Sequence, residues 1–309
     1  MLTYAPRPRN NLPLLLVLAL LALLPGLGMG TARAQFHFRD YAGSHSVVTP
    51  PDDIKARAAL LIDASTGEVL YARNPNEQLL PASTTKLMTA LIVRQKLGGL
   101  TGDVTITEAD RAEPSNVPLV PGETISVNKL FHALLIESAN DSARALGRAV
   151  AGSNEAFVEM MNEKALAMGL FNTHFENPNG LPAPTGTHYT SCHDLMVIFR
   201  AVLAYPELRE ICQTKEYEMH SASGTHIFHN HNLLLGNYPG MGPAKTGWTV
   251  ASRHTYAAAV KRGNRELLLT LLDSPNKWID AQILFNWGFA QTPSTSAANS
   301  TTPGDSSSQ

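Results

Sequence analysis

The chain has 309 residues, 44% of them hydrophobic and 16% charged, with a formal net charge of −2. That balance describes a folded globular protein with room for one large domain or two modest ones. A near-neutral charge without blocks of like sign gives no reason to expect nucleic acid or an acidic membrane surface as a partner.

Arg7 and Arg9 precede the apolar stretch LPLLLVLALLALLPGLGMG, and Ala32-Arg33-Ala34 closes it. A basic start, an apolar middle and an A-x-A site make residues 1–34 a secretory signal, with cleavage expected between Ala34 and Gln35. Pro25 and Gly26 interrupt the run before the roughly 20 residues that a membrane span needs. The mature protein is therefore expected to be exported, periplasmic or extracellular, and soluble. Residues 35–57, with the pair Pro50-Pro51, read as an extended entry arm.

AALLIDASTGEVLYARN reads as a hairpin turning at Ala64-Ser65-Thr66-Gly67. PASTTKLMTA then opens an apolar run, Leu87, Met88, Ala90, Leu91 and Ile92, spaced for a buried helix. Residues 101–125 are turn-rich with short strands. Ser126 opens a second helix, SVNKLFHALLIES, and helical patterns recur over 141–151, 154–168 and 193–204. From residue 214 the pattern turns to β, and HTYAAAVKRGNRELLLTLLDS is a hairpin turning at Arg262-Gly263-Asn264-Arg265. NKWIDAQILFNWGFA reads as a C-terminal helix, and the Ser/Thr-rich residues 292–309 as a disordered tail. Strands at both ends with helices between them predict an α+β fold, one antiparallel sheet covered by a helical insert, over residues 58–291.

Only two cysteines occur, Cys192 and Cys212. An oxidising compartment permits a disulfide. The helix between them separates them unless the chain folds back after Pro206, so the reading leans to unpaired thiols.

S-x-x-K occurs three times: Ser83–Lys86, Ser126–Lys129 and Ser274–Lys277. On a helix, i and i+3 share a face, so each pair brings a hydroxyl to an amine. Two further motifs choose between them, Ser138-Ala139-Asn140 and Lys245-Thr246-Gly247. Ser126 and Ser138 lie on one predicted helix about 18 Å apart along its axis, so they cannot share a site. Ser126 and Ser274 are better read as helix caps, with Lys129 and Lys277 as decoys. Ser83 alone stands in the chain order S-x-x-K, S-x-N, K-T-G.

That ordered set belongs to penicillin-binding proteins and class A β-lactamases, where the second motif is usually S-D-N. Over residues 56–290 the chain resembles the serine-type D-alanyl-D-alanine carboxypeptidases of the low-molecular-mass penicillin-binding proteins. LIDASTGEVLYARNPNEQLLPASTTKLMTA, SANDSARALGRAVAGSNEAFVEMMNEKA and NTHFENPNGLPAP…HYT carry the likeness beyond the three motifs. The resemblance implies a DD-peptidase-like fold and peptidoglycan stem peptides as substrates. It also implies β-lactams as covalent inhibitors and no cofactor. It implies Ser83 as nucleophile, Lys86 as base, and Ser138 as relay to the leaving D-alanine. Asn140 would hold the substrate amide. Lys245, Thr246 and Gly247 would form the strand that meets the substrate carboxylate, with Ser83 and Trp248 N–H groups as oxyanion hole. Arg253 stands where many relatives have Ala-Gly. It would either add a carboxylate contact or pack outward. The tail leaves no C-terminal membrane anchor to expect.

Three other readings stay in view. A DD-endopeptidase cutting crosslinks would use the same residues. A β-lactamase needs a deacylating Glu in an E-x-x-L-N run, and ENPNGLP is the nearest loop with the wrong pattern. Zinc binding by His226, His229 and His231 lacks a completing carboxylate or cysteine, and strand alternation points His226 elsewhere.

Overall fold

The structure is a computed structural model and describes residues 49–291. The signal segment, residues 35–48 of the arm and the Ser/Thr tail lie outside the described residues.

The first hairpin is β1 (Ala58–Asp63) with β2 (Val69–Arg73). A 3-10 turn at Ala82–Thr85 leads into α1 (Lys86–Leu97). A two-stranded ribbon follows, β3 (Asp103–Thr105) and β4 (Thr124–Ser126). Next comes α2 (Val127–His132), continued by a π-helical turn at Ala133–Glu137, then α3 (Asn140–Ala151) and α4 (Asn154–Ala167). After α5 (Cys192–Leu203) and α6 (Pro206–Gln213), β5 (Glu216–Ser221) and β6 (Gly224–His229) form a hairpin. The chain then runs through β7 (Met241–Thr249), β8 (Arg253–Arg262) and β9 (Arg265–Ser274) into α7 (Lys277–Ala290).

The main sheet has the order β2-β1-β9-β8-β7, antiparallel at every step. Strands from both ends of the chain meet in it, which confirms the α+β expectation. Alternation along each strand sends side chains to opposite faces. Leu60, Ile62, Ala257, Leu268 and Leu272 join the helical insert in one core. Ala59, Leu61, Ala258, Leu267, Leu269 and Leu271 pack with Leu284 and Phe285 of α7 in another. A sheet covered on both faces explains why the middle of β9, Leu267 to Leu272, is leucine at every position but Thr270. Inside the insert, α1 is buried on every side from Lys86 to Val93, as its apolar sequence predicts.

Some details correct the sequence reading. Ser126 does cap α2, accepting from the Lys129 N–H, but Asn276 rather than Ser274 caps α7. Ser274 Oγ instead donates to Asp280 Oδ2 at 2.7 Å. The K-T-G lies inside β7, an edge strand, as the resemblance implied, whereas Pro206, read as a place where the chain folds back, opens α6. Proline favours a first helical position because its missing N–H would go unused there. Both cysteines are free and buried, one opening α5 and the other in α6. Burial pushes each thiol up to about 12.

Candidate active site

Ser83 sits in the 3-10 turn and Lys86 is the first residue of α1. In 3-10 geometry the side chains at i and i+3 eclipse, a tighter alignment than an α-helix gives. Lys86 Nζ accordingly lies 2.9 Å from Ser83 Oγ. The amine is fully buried and also donates to Asn140 Oδ1 and to the Asn179 carbonyl, each at 2.7 Å.

The turn is held from two sides. Thr255 Oγ1 donates to the Pro81 carbonyl at 2.8 Å, fastening the turn to β8. Gly180, at φ +86°, lies so close that a Cβ there would stand 1.8 Å from the Ala82 carbonyl oxygen. Ala82 itself has φ +46°, a conformation that costs a non-glycine residue of order 1–3 kcal/mol and persists only when its surroundings fix it. On β7, a Cβ at Gly247 would stand 2.8 Å from Ser83 N and 2.3 Å from Thr255 Oγ1. Only glycine lets the strand approach the serine this closely.

Ser138 ends the π-helical turn in the left-handed conformation, φ +64°, and its Oγ accepts from Lys245 Nζ at 2.8 Å. Lys245 also donates to the Thr246 carbonyl at 2.8 Å. Asn140 opens α3, and its side-chain amide donates to the Pro114 carbonyl while its oxygen serves Lys86. Asp141, also buried, accepts from Val117 N at 3.2 Å and Ser142 N at 2.7 Å, fixing the loop that presents Pro114. Burial raises that carboxyl to about 7. The structure thus brings Ser83, Lys86, Ser138, Asn140, Lys245 and Gly247 into one contiguous group.

The two amines are both buried and close enough to feel each other's charge. Burial first, then the charge of Lys245, lowers Lys86 well below the usual lysine range, and Asp141 opposes that only partly. Burial likewise brings Lys245 down to about 7, and Lys277 pushes it the same way. The Cys212 thiol nearby is uncharged at neutral pH and gives Lys245 no counter-charge. Because the folded value lies below the ordinary 10.5, the unfolded chain binds the extra proton between these limits. Stability therefore rises with pH across that window. Lys245→Met removes this contribution, so its stability relative to wild type should be greatest near pH 6 and fall steadily toward pH 10. Urea unfolding across that range checks it, and a pH-independent difference would contradict the burial argument.

A model of the D-alanyl-D-alanine carboxypeptidase family, peptidase S11, matches residues 45–276. The chain belongs to this family of peptidases. It is 35% identical over 257 residues to the D-alanyl-D-alanine carboxypeptidase DacB2 of Mycobacterium tuberculosis, covering 81% of this chain and 88% of that one. A solved D-alanyl-D-alanine carboxypeptidase from the same organism superposes with a TM-score of 0.76 at 34% identity, over 82% of this chain and 97% of the other. A Streptomyces DD-transpeptidase superposes at 0.73 and 29% identity, over 79% of this chain and all of its own.

Around this S11 site the sequence reading missed several groups. The Asn179 and Pro114 carbonyls are backbone acceptors with no side-chain signature. His188 is buried, takes the Glu176 N–H on Nδ1 at 3.1 Å, and so presents Nε2–H to Thr85 Oγ1 at 2.9 Å. Burial holds its ring neutral, at about 4. Lys277, in a motif read as a decoy, does not meet Ser274; it is buried, with Nζ 2.9 Å from His254 Nδ1 and over the Trp278 ring, and it repels Lys245. Trp248 is exposed beside His254. Thr246 keeps 9% of its surface at the strand edge. Arg253 does not join the group: its guanidinium pairs with Asp273 of β9. Glu176 of the ENPNGLP loop accepts from Thr187 N and Oγ1, so its carboxylate is engaged by the loop itself. His229 faces Glu216, His226 meets Ser223 and His231 faces Glu137. Among the described residues, no group of three or more His, Cys, Asp or Glu is placed to hold a metal ion.

Proposed function

We propose that this S11 peptidase removes the terminal D-alanine from peptidoglycan stem peptides through an acyl-enzyme on Ser83. The observation that carries the reading is the buried contact of 2.9 Å between Ser83 Oγ and Lys86 Nζ, next to a second buried amine. A neutral Lys86 has two N–H groups for its two carbonyl-type acceptors, Asn140 Oδ1 and Asn179 O. Its lone pair is then left for the Ser83 hydroxyl. Taking that proton turns a weak nucleophile into one able to attack the carbonyl between two D-alanines.

The peptide lies along the open edge of β7, the strand whose Gly247 touches the Ser83 backbone. Backbone N–H groups of Ser83 and Trp248 stabilise the oxyanion. As the tetrahedral intermediate collapses, Ser138, polarised by Lys245, passes a proton to the departing D-alanine nitrogen. Water then cleaves the acyl-enzyme. Lys245 and the Thr246 hydroxyl receive the terminal carboxylate, a charge-assisted contact worth about 1.5–3 kcal/mol. Penicillins acylate Ser83 in the same way and leave slowly, because Glu176 is tied into its own loop. The basic leader supports an exported enzyme acting at the wall. No helix among the described residues is long and apolar enough to cross a membrane.

The test is D-alanine release from a stem pentapeptide, run beside a crosslinked dimer and a pentapeptide amidated at its terminus. Release from the free acid should exceed that from the amide by roughly ten- to a hundredfold. Equal rates, or faster cleavage of the dimer, would overturn the carboxypeptidase reading in favour of the endopeptidase.

A further inference from the structure

Three buried contacts fasten the loop of residues 176–188 to the start of α1. Lys86 Nζ donates to the Asn179 carbonyl at 2.7 Å, and Thr89 Oγ1 to the Pro178 carbonyl at 2.6 Å. His188 Nε2 lies 2.9 Å from Thr85 Oγ1, and both side chains are buried. The reaction proposed above uses the first contact and neither of the others. The loop has little room to shift without breaking them: a Cβ at Gly180 would stand 2.9 Å from Thr85 Oγ1.

Only one protonation state of His188 fits this place. A backbone N–H can only donate, so Glu176 N, 3.1 Å away, makes Nδ1 an acceptor. The single proton of the neutral ring therefore lies on Nε2 and goes to the Thr85 hydroxyl. An imidazolium would set a second donor against the Glu176 N–H. Burial holds the ring neutral, His174 adds to that effect and Glu176 opposes it. Phe175 packs edge-on against the same ring.

The consequence falls on Lys86. Its lone pair is left for Ser83 only while Asn140 Oδ1 and the Asn179 carbonyl take its two N–H groups. Thr85 directly precedes Lys86, and His188 closes the loop that carries Asn179. Their hydrogen bond thus ties together the two segments that the Lys86–Asn179 contact spans. We infer that His188, acting through Thr85, is a positioning residue for Lys86, holding the Asn179 carbonyl on the amine so that its lone pair stays on the Ser83 hydroxyl.

The inference rests on the acyl-enzyme reading, and the experiment separates the two. Acylation by a labelled penicillin is followed across pH in wild type, His188→Asn, His188→Gln, Thr85→Val and Thr85→Ser. The Asn carbonyl can replace Nδ1 toward Glu176 but does not reach Thr85, whereas the Gln amide N–H can replace Nε2–H. His188→Asn and Thr85→Val should acylate about ten- to a hundredfold more slowly with unchanged initial binding, as a displaced base requires. His188→Gln and Thr85→Ser should recover most of the rate. Loosening the loop also admits water to Lys86, whose neutral form depends on burial and on Lys245, against Asp141. The acid limb of the slow variants should therefore move to higher pH, a shift that a purely structural role would not cause. Folded His188→Asn or Thr85→Val with the wild-type rate and pH profile would overturn the inference, as would His188→Gln losing as much as His188→Asn. If neither His188 variant folds, the Thr85 pair decides by the same criteria. A wild-type protein that takes no label on Ser83 would overturn the acyl-enzyme reading itself.

Discussion

Lys86→Ala is expected to lower the rate of acylation by penicillin or by a stem peptide by roughly 10²–10⁴-fold, the range that general-base removal spans. Lys86 is the amine in contact with the Ser83 hydroxyl, and burial beside Lys245 favours the neutral form that a base requires. The fold should survive. Losing a desolvated amine offsets the orphaning of Asn140 Oδ1 and the Asn179 carbonyl, so the melting temperature should move little. Lys129→Ala serves as control, since that amine is committed to the His220 carbonyl and its serine caps α2. Stopped-flow acylation and thermal unfolding read both effects. Near-normal acylation in Lys86→Ala would place the base elsewhere.

The second large effect is expected at a residue with no side chain. A methyl at Gly247 would press on Thr255 Oγ1 and on the Ser83 backbone N–H. Either Thr255 releases the Pro81 carbonyl, or β7 backs away from the serine. Each outcome moves the backbone N–H groups of Ser83 and Trp248, the oxyanion donors of the proposed mechanism, relative to the Ser83 hydroxyl. Removing one such donor lowers turnover by about 10²–10³-fold. Overpacking adds a stability loss of about 1–3 kcal/mol. Gly247→Ala should therefore bind substrate with a similar KM, turn it over far more slowly and melt earlier. Turnover close to wild type would show that the close approach of β7 to the turn is not needed.

The parts of this molecule that were legible in the sequence are those that depend on local chemistry. The turn at Arg262–Arg265 pairs those two residues across the β8–β9 hairpin, and the first part of α1, Lys86 to Val93, is buried on every side. The order of three short motifs was enough to gather Ser83, Lys86, Ser138, Asn140 and Lys245, because each contributes a side chain whose chemistry is visible in one letter. The Asn179 and Pro114 carbonyls were invisible for the opposite reason: any residue has a carbonyl, and only the fold aims it. The burial of Lys277 was not legible, because only tertiary packing folds it onto His254 and Trp278. Arg253 could not be settled from sequence, since its partner Asp273 arrives from a neighbouring strand twenty residues away.

The most direct test of the account is the site of covalent labelling. The purified protein, treated with a labelled penicillin and digested, should yield one modified peptide. Mass spectrometry should place the adduct on Ser83, and the label should persist long after free drug is removed. An adduct on Ser126, Ser138 or Ser274, or a folded protein that takes no label, would contradict the assignment of Ser83 as the nucleophile.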